Sequence, residues 1–172
     1  MKRLVVFTLL SVMAFSVSAQ DDAISKFFQK YSDDPDFSEV NITGRMFSLL
    51  TDLEIEDEED QAILDAISQL SGLKVLARDN TSRGKELYRE AYSLVSKNKY
   101  EELMSIRDED MDMKFLIKEE GNQIKELLMI GGGDDEFFIM SIFGIIDLKQ
   151  ISKISKKMNI DGLEKLEKLN DN

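Results

Sequence analysis

The chain has 172 residues, of which 34 are acidic and 22 are basic, so its formal net charge at pH 7 is −12. A negative field of this size repels nucleic-acid backbones and anionic membranes, so nucleic acid is not an expected partner. The chain contains no histidine and no cysteine. This composition excludes Ser-His-Asp and Cys-His catalytic systems, His-ligated zinc or iron, and disulfide bonds.

The first 19 residues have the pattern of a secretory signal peptide. Two basic residues precede an apolar run over 4–17, and Ala19 supplies the small residue of a cleavage site. The apolar run is shorter than the ~20 residues that a membrane-spanning helix needs. We therefore predict cleavage before Gln20, a single mature domain over 20–172 without a membrane anchor, and a periplasmic or secreted location.

The first half of the mature chain predicts helices and strands in turn. Apolar residues recur with helical spacing in the helices and alternate with polar residues in the strands. The acidic run 54–60 could be a metal- or protein-binding patch, but acids at the positive end of a helix dipole favour a helix start. The predicted elements are a helix at 24–31, a strand at 38–43, a helix at 45–53, a helix from Asp57 to a stop at Gly72, a strand at 73–78 and a helix at 82–97.

From Tyr100 onward the apolar period changes from 3.6 to 2. Strands are predicted around 104–106, at 111–119, 124–130 and 137–143, with turns at Gly121-Asn122 and at 131–135. Connections this short predict an antiparallel meander, because parallel neighbours would need helical crossovers. Asp147 is a predicted cap for a final helix.

Together these elements predict an α+β fold. It comprises a mostly antiparallel sheet of about six strands, with a C-terminal four-stranded meander and amphipathic helices packed against the sheet.

The last two predicted strands carry apolar residues on both faces, whereas a half-buried antiparallel strand alternates apolar with polar residues. Either helices cover both faces of the sheet here, or one face is an apolar surface for a ligand, a partner or a second copy of the chain. The candidate interaction surface is formed by Leu127, Met129, Phe137, Ile139 and Phe143.

The final helix contains a local excess of basic residues. One interpretation is contact with an acidic partner or anionic lipid, and the other is a solvated outer face of a core helix. The candidate basic helix face comprises Lys149, Lys153, Lys156 and Lys157.

Asp108, Asp110, Asp112 and Glu119 match the acidic positions of an EF-hand calcium loop. Met113 stands where that loop needs glycine, and an extended strand up to Glu119 places its carboxylate too far away to complete a cage. We therefore predict an acidic hairpin turn, no metal site and no cofactor. A weaker calcium site at the turn aspartates is the alternative.

Four segments carry a family resemblance: Phe27–Asp34, Met46–Leu50, Gly72–Leu76 and Ile142–Lys153. They resemble domain of unknown function 4252, an uncharacterised family of small exported Bacteroidetes proteins, over nearly the whole mature chain. The matching motifs are a glycine turn and a capped helix, so the resemblance transfers no catalytic residue. It implies a Gram-negative envelope location and, through association with extracytoplasmic sigma factor systems, a signalling or stress role.

Three functions remain open from the sequence. The leading hypothesis is a non-enzymatic envelope protein that binds a protein partner or itself. The alternative is a carrier of a small ligand or lipid in an apolar cavity. A carboxylate-dependent hydrolase is the third and least supported, because the acids lie in turns and at helix starts.

Overall fold

The computed structural model of the protein describes residues 23–50, 57–95, 99–107 and 109–151. The predicted signal peptide and most of the final helix lie outside the described residues. The elements are α1 (Ala23–Tyr31), β1 (Ser38–Thr43), α2 (Gly44–Leu50), α3 (Glu58–Ser68), β2 (Leu70–Arg78), α4 (Gly84–Val95), β3 (Glu101–Arg107), β4 (Met111–Glu120), β5 (Gln123–Gly133) and β6 (Phe137–Ile146). Among them, no helix is long and apolar enough to cross a membrane.

The six strands form one sheet in the order β1-β2-β6-β5-β4-β3, and every neighbouring pair is antiparallel. Strands β3 to β6 follow one another as a meander, and β2 joins its far side by pairing with β6. The predicted α+β fold with a C-terminal four-stranded meander is therefore confirmed. Strands β1 and β3 form the two edges of the sheet.

Helices pack on both faces of the sheet. On one face α1 and α4 cover a cluster that we call the α4-side cluster, and on the other α2 covers the α2-side cluster. The α4-side cluster contains Ile24, Phe27, Phe28, Tyr31, Leu76, Leu87, Tyr88, Ala91, Val95, Leu116, Leu128, Ile130, Phe137 and Ile139. The α2-side cluster contains Phe47, Leu70, Phe115, Ile117, Leu127, Met129, Met140, Ile142, Ile146 and Ile151.

The glycines at 131–133 belong to strand β5, so the turn predicted there is wrong, and the chain turns only at Asp134-Asp135. These residues are small because neighbours approach their backbone closely. A Cβ on Gly131 would lie 2.3 Å from the ring of Phe138, and one on Gly132 would lie 2.7 Å from the carbonyl oxygen of Gly84. The glycines thus let Phe138 and the start of α4 pack directly on the strand.

The boundary between α3 and β2 also differs from the prediction. Helix α3 ends at Ser68 and strand β2 begins at Leu70, so Gly72 lies inside the strand instead of ending the helix. Leu70 and Gly72 pair with Gly144 and Phe143 of β6 across a register shift. Strand pairing therefore decides residues that the local apolar spacing assigned to the helix.

The predicted cap of the final helix is confirmed. The Asp147 carboxylate accepts hydrogen bonds from the backbone N–H groups of Lys149, at 2.9 Å, and Gln150, at 3.4 Å. These bonds satisfy two donors that have no partner within the first turn of a helix. The helix is described as far as Ile151, which packs in the α2-side cluster.

Candidate functional site

The five residues of the predicted apolar surface lie on opposite faces of the sheet. Leu127 and Met129 are buried in the α2-side cluster, whereas Phe137 and Ile139 are buried in the α4-side cluster. Phe143 is half-buried. Four of the five side chains therefore contact other core residues, and the structure does not bring the five together into one surface.

The strand register explains this separation. Residues directly opposite each other on antiparallel strands point to the same face. Leu127 lies opposite Ile142 and Met129 opposite Met140, whereas Ile139 lies opposite Ile130. Leu127 and Met129 therefore belong to the core on one face of the sheet, whereas Ile139 belongs to the core on the other face.

Of the candidate basic helix face, only Lys149 lies within the described residues, where it is exposed. Lys153, Lys156 and Lys157 lie outside them. The predicted acidic turn is described in part: Asp108 lies outside, and Asp112 binds Arg107, with 2.7 Å between Oδ1 and Nε. Across the described parts of the chain, no three acidic side chains are grouped so as to hold a metal ion.

A buried polar group lies on the α4 side of the sheet and was not found from the sequence. The Glu126 carboxylate, only 3% exposed, accepts hydrogen bonds from the Tyr100 hydroxyl, at 2.6 Å, and from the Ser141 hydroxyl. Two hydroxyl donors offset the loss of water around a buried carboxylate. Because Ser141 is fully buried, this group holds β5, β6 and the residue before β3 together and has no access for a substrate.

The β1 edge is the first of two unusual surfaces. We use this name for strand β1 together with the exposed apolar residues beside it, Val40, Met46 and Leu49. These three are 47%, 50% and 48% exposed, and they are three of the four large apolar side chains exposed within the described residues. Strand β1 pairs with β2 without a register shift, and no described strand pairs with its outer side.

The opposite edge, strand β3, differs in charge and regularity. It contains Glu101, Glu102 and Arg107, and its pairing with β4 shifts register between Glu102 and Met104. Charged residues and bulges are the usual protection of an edge strand against pairing with another chain. Strand β1 contains a single charged residue, Glu39, and no bulge.

Beside the β3 edge lies the second surface, a cleft of about 490 Å³ between α4 and strands β3 and β4. Helix α4 forms its wall and the two strands form its floor. We call it the α4 cleft, and it is lined by Lys85, Tyr88, Arg89, Tyr92, Arg107, Asp112 and Lys114. The sequence signal that could have located it is the spacing of Lys85, Arg89 and Tyr92 along one side of α4.

Two tyrosines stand side by side in the wall of the α4 cleft. The rings of Tyr88 and Tyr92 are nearly parallel, with centroids 6.3 Å apart, and the Lys114 ammonium lies 4.8 Å from the Tyr92 ring centroid. Burial raises the pKa of the Tyr88 hydroxyl above its ordinary value. Tyr88 is therefore a neutral hydrogen-bond donor at physiological pH.

The charges in the floor of the cleft are held by ion pairs. Lys114 binds Glu102, and this hydrogen bond holds the pKa of the Glu102 carboxyl below its usual range. Burial opposes the charge of Lys114, but the Glu102 carboxylate and the two tyrosines together more than offset it, so the pKa of Lys114 lies above its ordinary value. In the wall of the cleft, Lys85 of α4 pairs with Asp134, with 2.5 Å between Nζ and Oδ1.

A family model described as Domain of unknown function (DUF4252) matches residues 31–154. This range covers all six strands and the helices α2, α3 and α4, so it contains both the β1 edge and the α4 cleft. No curated protein and no solved structure matches the chain.

Proposed function

The chain belongs to the DUF4252 family, and we propose that it is a non-enzymatic binding module of the cell envelope whose β1 edge pairs with an extended segment of a protein partner. The envelope location rests on the signal-peptide pattern of residues 1–19. The observation that carries the binding role is the contrast between an unprotected β1 and a protected β3 in the same sheet.

An edge strand presents a row of unpaired backbone N–H and C=O groups to any extended segment that reaches it. Strand addition uses those groups for affinity and adjacent apolar side chains for specificity. The β1 edge offers both, because Val40 lies on the strand and Met46 and Leu49 lie one helical turn apart on α2, which packs against β1 and β2.

Charge favours another protein over a second copy as the partner. Each chain carries a formal charge of −12, so two copies repel each other at long range. The β1 edge itself contributes one acid, Glu39, and the adjoining helix contributes one base, Arg45. A neutral or basic segment with apolar residues at alternate positions fits this surface.

Site-specific photo-crosslinking in the native host tests this proposal. A crosslinking amino acid replaces Asn41 on β1 or, as the matched control, Ser105 on β3, since both side chains are exposed on edge strands. We expect a defined adduct from position 41 and none from position 105. Adducts of equal yield from both positions, or no adduct from position 41, would contradict the proposal.

The captured partner is then purified and its affinity measured against variants of the edge. Val40→Lys and Met46→Lys should each lower the affinity roughly tenfold, because each places a charge in an apolar contact. Ile145→Lys is the matched control, since Ile145 is 42% exposed but lies on β6, which β2 separates from β1. An equal loss in all three variants would show a general effect of charge.

Sedimentation that finds a dimer for wild type and a monomer for Val40→Lys would identify the occupant as a second copy instead.

A further inference from the structure

We propose that the α4 cleft binds a small organic carboxylate, independently of the β1 edge. The cleft borders the α4-side cluster, to which Tyr88 belongs, and its volume of about 490 Å³ lies within the range of small-molecule sites. Four of its seven lining residues are cationic and one is acidic. Three of these cations pair with carboxylates of this chain, namely Lys85 with Asp134, Arg107 with Asp112 and Lys114 with Glu102, so Arg89 is the cation of the cleft without an ion pair among the described residues.

The first argument is that two side chains of the cleft, Arg89 and Tyr88, have hydrogen-bond donors without a partner among the described residues. Arg89 donates from Nε to the carbonyl oxygen of Lys85 at 3.0 Å, while its terminal nitrogens have no partner among the described residues. The Tyr88 hydroxyl likewise has none within the described part of the chain. Both residues line the cleft, and they lie on successive positions of one helix.

The second argument is the chemistry that these donors select. The planar guanidinium of arginine binds a carboxylate through two parallel hydrogen bonds, and a tyrosine hydroxyl can add a third bond. The other cations of the cleft already hold carboxylates of this chain, since Arg107 pairs with Asp112 and Lys114 with Glu102. Arg89 is the cation of the cleft that forms no ion pair among the described residues, although its charge helps to hold the pKa of the nearby Glu86 carboxyl below its usual range, after the larger effect of Arg83.

The third argument concerns the size of the ligand. The Arg107–Asp112 and Lys114–Glu102 pairs lie on the strands of the floor, whereas Arg89 and Tyr88 lie on α4 in the wall. A dicarboxylate can place one group on Arg89 and the other near Lys85 of the wall or near Arg107 of the floor. Lys85 and Arg107 are 52% and 82% exposed, so either can turn toward the ligand.

Succinate is the probe for a direct binding test on the purified protein. Titration at low ionic strength, followed by amide chemical shifts, should show saturable changes on α4 and β4 with a dissociation constant on the order of millimolar. Neutral succinamide, which has the same shape without charge, should leave the shifts unchanged. Equal binding of succinamide, or equal binding of inorganic phosphate, would overturn the assignment to carboxylates. Absence of saturable changes with succinate would overturn the site itself.

Three variants locate the binding. Arg89→Gln should weaken succinate binding roughly tenfold, and Tyr88→Phe, which keeps the buried ring, roughly threefold. Arg83→Gln is the matched control. It removes one positive charge just before α4, but Arg83 pairs with Glu86 and does not line the cleft. An unchanged affinity in Arg89→Gln, or an equal loss in Arg83→Gln, would show that the cleft does not recognise the carboxylate. Crosslinking at Asn41 reports on the β1 edge separately, so either proposal can fail alone.

Discussion

The two edges of the sheet are alike in strand direction and length but differ in charge and in the regularity of their pairing. Strand β1 has six residues with one charge and a continuous register, whereas β3 has seven residues with three charges and a register shift. Both are antiparallel edge strands, so the exposure of backbone groups alone does not distinguish them. The side chains do, because β3 carries the charges and the register shift that protect an edge strand, whereas β1 carries one charge and no shift.

The helices beside the edges continue this contrast. Beside β1, helix α2 presents Met46 and Leu49 to solvent. Beside β3, helix α4 presents Lys85 and Arg89 across a cleft. One edge of the sheet therefore has exposed apolar side chains beside a strand without a described neighbour on its outer side, and the other has cationic side chains beside it.

The largest expected effect comes from the core that supports the β1 edge. Leu76 of β2 is fully buried and lies opposite Glu39 of β1. Leu76→Ala should lower the free energy of unfolding by about 2–5 kcal/mol, because it leaves a cavity that the neighbours fill only in part. Urea denaturation measures this loss. Val75→Ala is the control on the opposite, half-buried face of the same strand, and an equal loss there would contradict the burial that the structure assigns.

The second expected effect distinguishes the α4 cleft from the β1 edge. A Cβ on Gly84 would lie 2.2 Å from the carbonyl oxygen of Glu136 and 2.4 Å from that of Gly133, so Gly84→Ala must displace the start of α4. We expect a loss of about 1–3 kcal/mol in the free energy of unfolding. Weaker succinate binding should accompany it, with crosslinking at Asn41 unchanged. Calorimetry measures the stability, and the succinate titration and the crosslinking measure the two surfaces. An equal loss of succinate binding and of crosslinking at Asn41 would contradict the independence of the α4 cleft and the β1 edge.

A smaller effect concerns pH and the protected edge. Because the folded-state pKa of Glu102 lies below its ordinary value of 4.5, its pairing with Lys114 stabilises the fold above that value. The contribution is lost as pH falls through the folded-state pKa. For a pair this close to the surface we expect about 0.2–1 kcal/mol near neutral pH. Comparing wild type with Glu102→Gln by denaturation should show a difference at pH 7 that disappears at strongly acidic pH, and a constant difference would contradict the assignment.

The smallest expected effect on stability belongs to the open edge. Val40 is 47% exposed, so Val40→Lys should change the free energy of unfolding by no more than about 0.5 kcal/mol. The same variant should lose partner affinity, which separates a contact residue from a structural one. Thermal denaturation measures the first effect. A strongly destabilised variant would mean that Val40 belongs to the fold and would weaken the case for the β1 edge.

The sequence predicted the element types well where the apolar period was long and regular. Strand β4 and the meander followed from alternation over 111–119 and from short connections. The prediction was wrong at 131–133 and at Gly72, where glycine is a local signal for turns and stops. In both places the glycine serves a close approach between strands or between a strand and α4, and no local pattern records that distance.

The apolar pattern of the sequence led to a surface that the fold does not form, and it gave no sign of the α4 cleft. Leu127 and Ile139 looked like members of one surface because alternation assigns faces within a strand only. The register between β5 and β6 places them on opposite faces, in separate clusters. The α4 cleft combines residues from one helix and two strands, so its members are neighbours only after folding.

The sequence by itself determined the α+β class, the meander, the exclusion of histidine and cysteine chemistry, and a predicted exported location. These follow from composition and local periodicity, which act along the chain. Only the tertiary structure decided which strand lies at each edge, which face each apolar residue joins, and where cations gather in an acidic chain. Those features depend on strand order and register, which set distances between residues far apart in sequence.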